Sequence, residues 1–343
     1  MLRLPTIALS ILTVLCSTKV LALDWQIQSL PNTPSLRASS ANFGQLWVAG
    51  TQGQVYKSLD AGNTWQAVAI SSEAEGDIRD LQQFADGSVL AMTVGPGQSS
   101  RLYRSTDGGL SWQLWLQNEQ AEGFFNSIDF WDQSQGLLFG DPVDGFYVVM
   151  KTADGGKSWR RIPKVQLPAI LDKEAAFAAS GNTLKIQDKD NVWIATGGFS
   201  ASAYHSDDGG EHWQRVSLPI HQLGQTGGAY AIGLNSKNEV FALGGDFQDR
   251  PGKYPNLAKL TAQGAQRLDA GERGLRTAMA CIEAICLATG KTGTDISYDH
   301  GMSWQAFSEQ GFYTLAADKQ TFVGAGHDGR VGILNLSQLK AQR

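Results

Sequence analysis

Short apolar runs rich in β-branched and aromatic residues recur along the chain at 46–50, 89–93, 137–140, 192–196, 240–244, 285–289 and 321–324. Small residues close most of them, and polar segments with Gly, Asp and Asn separate them. A further strand-like stretch precedes most of these runs, as at 78–84, 127–131 and 229–234. Nowhere does an apolar period of 3.6 persist for ten residues, so helices between the strands are not expected. Anchors at 47, 90, 137, 193, 241, 286 and 322 give seven units, 36 to 56 residues apart. That spacing suits four short strands per unit.

A repeated octad, Ser/Thr-x-Asp-x-Gly-x-x-Trp, follows five of the runs. It occupies Ser58, Asp60, Gly62 and Trp65, then Ser105, Asp107, Gly109 and Trp112. It returns at Thr152, Asp154, Gly156 and Trp159, at Ser206, Asp208, Gly210 and Trp213, and at Ser297, Asp299, Gly301 and Trp304. The aspartates lie 47, 47, 54 and 91 residues apart, so the last gap holds a unit whose octad has decayed. The carboxylate accepts backbone N–H groups within its own turn, and the hydroxyl ties the incoming strand to that turn. Glycine permits a positive φ, and the tryptophan begins the next strand and buries its ring between neighbouring sheets. These residues are expected to be structural, since the calcium-loop pattern is missing from them.

One such sheet cannot bury both faces alone, so the set must close into a ring. The expected fold is all-β: a seven-bladed β-propeller of four-stranded antiparallel blades with octad turns. Six or eight blades are the alternatives. The last unit shows two strands, near Phe322 and 331–334, and no octad. Asp24-Trp25-Gln26-Ile27 reads as a strand following an octad, so N- and C-terminal strands should close the ring in one blade.

Among 343 residues, 39 glycines against 10 prolines favour many turns over disorder. Residues 1–22 read as a signal peptide, with Arg3, an apolar 7–15 too short to span a bilayer, and Val20 and Ala22 before the cleavage point. Leu15 ahead of Cys16 is too large for a lipoprotein site. Cleavage leaves one propeller domain, 23–343, in the periplasm or secreted, and moves the formal charge from −5 to −7. That balance argues against nucleic acid or an anionic membrane as partner. No integral membrane segment is expected after cleavage, and the chain should act as a monomer. Cys281 and Cys286 remain and are expected to form a local disulfide that pins a hairpin.

In a propeller blade the innermost strand descends from the upper face and the second strand returns to it. The octads therefore lie below, and the loops around the channel mouth lie above. Those upper loops carry Asp141, Asp246, Asp295 and His327, and the entries to the innermost strands carry Glu174, Arg276 and Arg79 or Asp80. Together they are expected to ring a shallow ligand pocket with carboxylates, arginines and a histidine. Each also has a plainer use. Asp141 and Asp246 can start turns, Glu174 and Arg276 can balance charge inside the protein, and His327 can open a hairpin turn. His205, His212, His221 and His300 are scattered, so neither a metal cage nor a cofactor is expected. Lys291-Thr292-Gly293 lacks the preceding glycine run and the following helix of a nucleotide loop.

The octads are similar to the Asp-box repeats of sialidase-like propellers. With seven units, the chain resembles more closely the photosystem II assembly and stability factor group and its secreted bacterial relatives. Thr152-Ala-Asp-Gly-Gly-Lys-Ser-Trp159 and Gly326-His-Asp-Gly-Arg-Val331 carry that likeness, supported by Gly140-Asp141-Pro142, 174–181 and Gly244-Gly-Asp246. The resemblance implies a platform that docks a protein client and is not an enzyme. It also implies a basic patch of clustered arginines, whereas here the arginines are dispersed along an acidic chain, which argues against a photosystem client. The favoured expectation is a non-enzymatic propeller that binds a protein or glycan ligand through its upper face. The alternative is an exo-acting, sialidase-like glycoside hydrolase using Asp141 or Glu174 with Asp246. Arg161-Ile162-Pro163 matches a sialidase motif in letters only, because it follows the third octad.

Overall fold

Every apolar run becomes the second strand of an antiparallel sheet, because its alternate side chains must be covered on both faces. The computed structural model describes residues 23–32, 34–68, 70, 76–268 and 273–341. The expected signal peptide lies outside the described residues. The first blade is Leu36–Asn42, Gln45–Gly50, Val55–Ser58 and Gln66–Ala67. The second is Asp77–Gln83, Val89–Val94, Arg101–Ser105 and Gln113–Gln117. The third is Phe125–Phe130, Gly136–Val143, Phe146–Thr152 and Arg160–Arg161. Leu184–Ile186, Val192–Ala195, Ser202–Ser206 and Gln214–Ser217 form the fourth.

The fifth blade is Gly227–Leu234, Val240–Asp246, Leu257–Thr261 and Gly264–Leu268. The sixth is Ala278–Ile282, Ile285–Gly290, Gly293–Ser297 and Gln305–Ser308. Thr314–Ala317, Thr321–Ala325 and Arg330–Asn335 make three strands of the seventh, and Gln26–Ser29 supplies the fourth. Gln26 pairs with Ile333 and Ser29 with Arg330, so the N-terminal strand closes the ring as expected. One sheet departs from the four-strand rule. Glu174–Ala175 pairs with Gly197–Gly198, which in turn pairs with Gly228 of the fifth blade, giving six strands.

The core is divided. Among the described residues, seven apolar clusters sit one at each interface between neighbouring blades. Trp47, Trp193, Phe241 and Phe322, all on second strands, are buried there. The last helix, Leu336–Ala341, seals one interface with Leu336 and Leu339. No described helix is long and apolar enough to cross a membrane. Cys281 and Cys286 face each other across the first hairpin of the sixth blade and are disulfide-bonded.

All five octads fold alike. The Ser or Thr hydroxyl donates to the Asp Oδ1 at 2.8–2.9 Å and accepts the glycine N–H at 2.7–2.9 Å. The N–H four residues beyond the aspartate closes the turn on the same Oδ1 at 2.8–2.9 Å. Gly62, at φ +89°, has its would-be Cβ 2.4 Å from the Ile333 side chain of the seventh blade, so any side chain there is strained in its backbone and displaces Ile333. A device that the sequence did not announce joins consecutive turns. The cation just before an octad reaches the next octad: Lys57 Nζ donates to Gly108 O at 2.6 Å, Arg104 to Gly155 O at 3.1 Å, and Lys151 Nζ to Gly209 O at 2.8 Å.

Burial of the octad tryptophans is uneven, since Trp213 is buried and Trp65, Trp112, Trp159 and Trp304 are half-buried. Trp213→Ala should therefore cost about 3–5 kcal/mol and Trp65→Ala roughly half as much, measured by urea unfolding. Equal losses would contradict the packing order. Acid should also weaken the turns. Hydrogen bonds from Thr64 and Ser58 hold the Asp60 carboxyl at about 2, and those from Ser111 and Ser105 do the same for Asp107. Their contribution is complete above the ordinary carboxylate pKa near ~4 and is lost as the pH falls towards about 2. An Asp60→Asn/Asp107→Asn variant should show a shallower fall in thermal midpoint over that window.

Candidate functional site

Four innermost strands carry a bulge at their upper ends. The pairing register skips one residue between Leu36 and Ala38, Ile78 and Asp80, Phe125 and Ser127, and Ala229 and Ala231. The skipped residues are Arg37, Arg79, Asn126 and Tyr230, and all four line one cavity at the channel mouth. A bulge re-aims a side chain that regular pleating would send into an interface. Thr277 and Tyr313, just ahead of the innermost strands of the sixth and seventh blades, continue the ring, and 176–179 complete it before the fourth. The cavity is about 390 Å³.

Its walls are aromatic and its charge is positive. Phe124, Phe177, Tyr230, Phe247 and Tyr313 line it, with Phe177 stacked on Tyr230 at 4.3 Å. Arg37, Arg79, Arg250 and Lys291 face a single lining carboxylate, Asp141. The Arg37 guanidinium lies over the Tyr313 ring at 4.0 Å, and burial together with nearby Arg79 lowers its pKa. Arg79 donates to Ala178 O at 2.7 Å and meets Asp77 at 3.3 Å, while its buried Nε has no partner. Arg250 and Lys291 are exposed at the rim. Asp141 accepts from Asn126 Nδ2 at 2.8 Å, and burial raises its pKa against that bond.

The other expected ligand contacts lie elsewhere. Glu174 is buried and points away from the cavity: Thr196 Oγ1 donates to Oε1 at 2.5 Å, and Leu171 N–H and Tyr204 OH donate to Oε2 at 2.9 and 3.0 Å. Its cation is Arg215, at 3.8 Å, and not Arg276. Arg276 is fully buried on Asp295, with its Nε 2.8 Å from Oδ2, so neither faces a ligand. Asp246 is consumed by its own loop, accepting from Thr226 Oγ1 at 2.6 Å and Gln248 N–H at 2.8 Å. Against the cost of burial, those bonds and His221 hold its pKa below the ordinary value. His327 pairs with Asp328 at 2.7 Å in a turn, its ring 6.5 Å from Tyr313.

The mouth is thus cationic and aromatic, where a mixed ring of carboxylates, arginines and a histidine was expected. Arg37, the Arg250 side chain and the aromatic walls were missed, and Lys291 was placed in an upper loop without being read as a ligand contact. For Arg37, Arg79, Asn126 and Tyr230 the sequence signal is only a shared register, one place after the first buried apolar side chain of an innermost strand. The arginines are dispersed along the chain and gathered in space.

No family model matches the chain, and no curated protein does either. Solved structures match over most of its length. A structure of YCF48 bound to a D1 peptide has a TM-score of 0.65 at 15% identity, covering 91% of this chain and 96% of that one. In fold, the chain is close to YCF48. YCF48 from Cyanidioschyzon merolae gives 0.63 at 17% identity over 90% of this chain and 98% of its own. The GH74 xyloglucanase from Xanthomonas campestris gives 0.60 at 16%, over 90% of this chain but 53% of the enzyme. Identities this low establish the shared architecture alone. The likeness to YCF48 spans nearly all of both chains, whereas half of the xyloglucanase has no counterpart here.

Glu174→Gln sets an amide N–H₂ among three donors, and should cost about 1–3 kcal/mol of stability. Differential scanning calorimetry checks this, and ligand affinity at the mouth should not change in the folded variant.

Proposed function

We propose that the chain is a non-enzymatic propeller of the periplasm or extracellular space that docks an acidic, extended segment of a partner protein in its upper mouth. The observation that carries this reading is the imbalance of charge there, four cations lining an aromatic-walled cavity against Asp141 in the lining and Asp77, which meets Arg79 from beside it. Cations held close together on a low-dielectric wall repel one another, and an incoming carboxylate relieves that repulsion. Aromatic walls give an extended chain apolar contact at little entropic cost. YCF48, which shares the architecture, is known with a D1 peptide bound, and that adds support. A glycosidase needs two carboxyl groups facing across the substrate. Among the described residues lining the mouth only Asp141 is acidic, and Asp246 and Glu174 are engaged in internal hydrogen bonds.

Fluorescence anisotropy with a labelled Asp/Glu-rich peptide tests the reading. The wild-type protein should bind it, with affinity falling as salt rises. Arg250→Glu/Lys291→Glu should weaken binding roughly tenfold or more, with little change in thermal midpoint because both side chains are exposed. Equal binding of a neutral peptide, or hydrolysis of a fluorogenic glycoside that is lost in Asp141→Asn, would overturn it.

A further inference from the structure

The two extra strands of the six-stranded sheet join the fourth and fifth blades at their upper ends. Glu174 pairs with Gly198, Gly197 with Gly228, and Gly227 with Asp246, so four segments run side by side to one end of the sheet. Just past that end lie 171–173, Phe199, 223–226 and Phe247. Leu171, Phe199, Leu223 and Phe247 are all exposed there, although each is a large apolar side chain. Neighbouring strands stand roughly 4.8 Å apart, so the row is about 14 Å long. Its members are tied together. Phe199 N–H donates to Lys173 O and Phe247 N–H to Thr226 O, both at 3.4 Å, and Ala201 N–H donates to Gln222 Oε1 at 2.9 Å. The Lys173 ammonium lies 5.1 Å from the centre of the Phe199 ring. Single exposed apolar residues are ordinary, but a row of four on a fixed sheet end marks a contact surface.

The row runs into the mouth. Phe247 belongs to both, and Phe177 and Tyr230 continue the apolar wall on that side. Arg37 and Arg79 come from the first and second blades and Lys291 follows the second strand of the sixth, so charge and apolar surface divide the opening. Along the row exposed Asp172 adjoins Lys173, and Asp249 adjoins Arg250, which leaves it with little net charge. We infer that the acidic segment docked in the mouth runs on across the fourth and fifth blades, and carries large apolar side chains within a few residues of its acidic ones. The inference rests on the peptide reading of the mouth and adds what must accompany the acid. An extended chain advances about 3.3 Å per residue, so about four or five residues cover the row. The cations fix its acidic end, and the row takes the apolar side chains that a purely acidic partner would lack. Apolar groups laid on Phe199 and Leu223 remove apolar surface of both partners from water.

Fluorescence anisotropy with three labelled peptides tests it: an acidic block followed by serines, the same block followed by Leu-Ser-Phe, and a serine block followed by Leu-Ser-Phe. Versions in reversed order cover the opposite chain direction. In one direction the acidic–apolar peptide should bind about tenfold tighter than the acidic–serine peptide. Phe199→Ser/Leu223→Ser should remove that gain, leave the affinity for the acidic–serine peptide unchanged, and barely move the thermal midpoint because both side chains are exposed. The peptide comparison needs no variant. Binding of the acidic–serine peptide with no gain from the apolar residues in either direction would overturn this inference and leave the reading of the mouth standing. A gain that survives Phe199→Ser/Leu223→Ser, or equal binding of the serine–apolar peptide, would overturn it as well. Failure of every acidic peptide to bind would overturn the reading of the mouth, and this inference with it.

Discussion

A twisted four-stranded sheet that is apolar on both faces has no stable position except between two others, and the rest of this molecule follows from that. Seven blades supply seven interfaces only if the last meets the first. The N-terminal strand completes the blade that meets the first, and the Trp25 ring just ahead of it packs edge-on to Phe312 at 4.9 Å, on the side of the sixth blade. Asp24 accepts from Ser308 of the sixth blade, while Gln28 donates to Gly62 of the first at 2.7 Å. One short strand thus touches both neighbours of the blade it completes. The cations ahead of the octads act in the same sense on the lower face, since each bonds to the turn of the following blade. Ring closure makes these bonds cooperative, because opening one interface exposes apolar surface that only its neighbour can cover.

The ring also sorts charge by height. Octad aspartates stabilise turns, and the turns lie below, so five of the 33 acidic residues are committed to the lower face. At the upper face a bulge in each of four innermost strands swings one side chain into the mouth, and in two blades that side chain is arginine. A chain of formal charge −5 can therefore present a cationic opening. Net charge describes long-range attraction averaged over the surface, whereas a ligand in a cleft responds to the groups that line it.

Architecture was legible in the sequence because it rests on repeated, local chemistry. Five octads and seven apolar runs each restate one solution, and the N-terminal strand was found by asking what the last blade lacked. The site was much less legible, for a physical reason. A bulge has no residue signature of its own: Arg37 and Asn126 read as ordinary alternation in a strand. Glu174 was correctly seen as needing a buried partner, but Tyr204, Thr196 and Arg215 answer that need, and no local spacing joins them to it. Arg276 was matched to Glu174 because both stand before innermost strands. In three dimensions the side chain across the next hairpin, Asp295, is nearer. The two extra strands of the fifth sheet likewise arise from Gly197 and Gly228, which can approach each other only because neither carries a Cβ.

What lies beneath the mouth bears on what the mouth can do. Asp80, next to Arg79, accepts from Ile128 N–H at 2.8 Å and from Ser127 Oγ at 3.1 Å, and Ser127 also reaches Gly181 O. Burial pushes the Asp80 carboxyl up to about 7, with Lys185 and those donors opposing it. On the other side, Arg276 and Asp295 are fixed to each other and to the carbonyls of Arg273 and Leu275. Polar groups this constrained hold the second, third, fourth and sixth blades in one arrangement under the cations. A floor of that kind suits recognition, since a preordered cationic ring spends little entropy when a partner arrives.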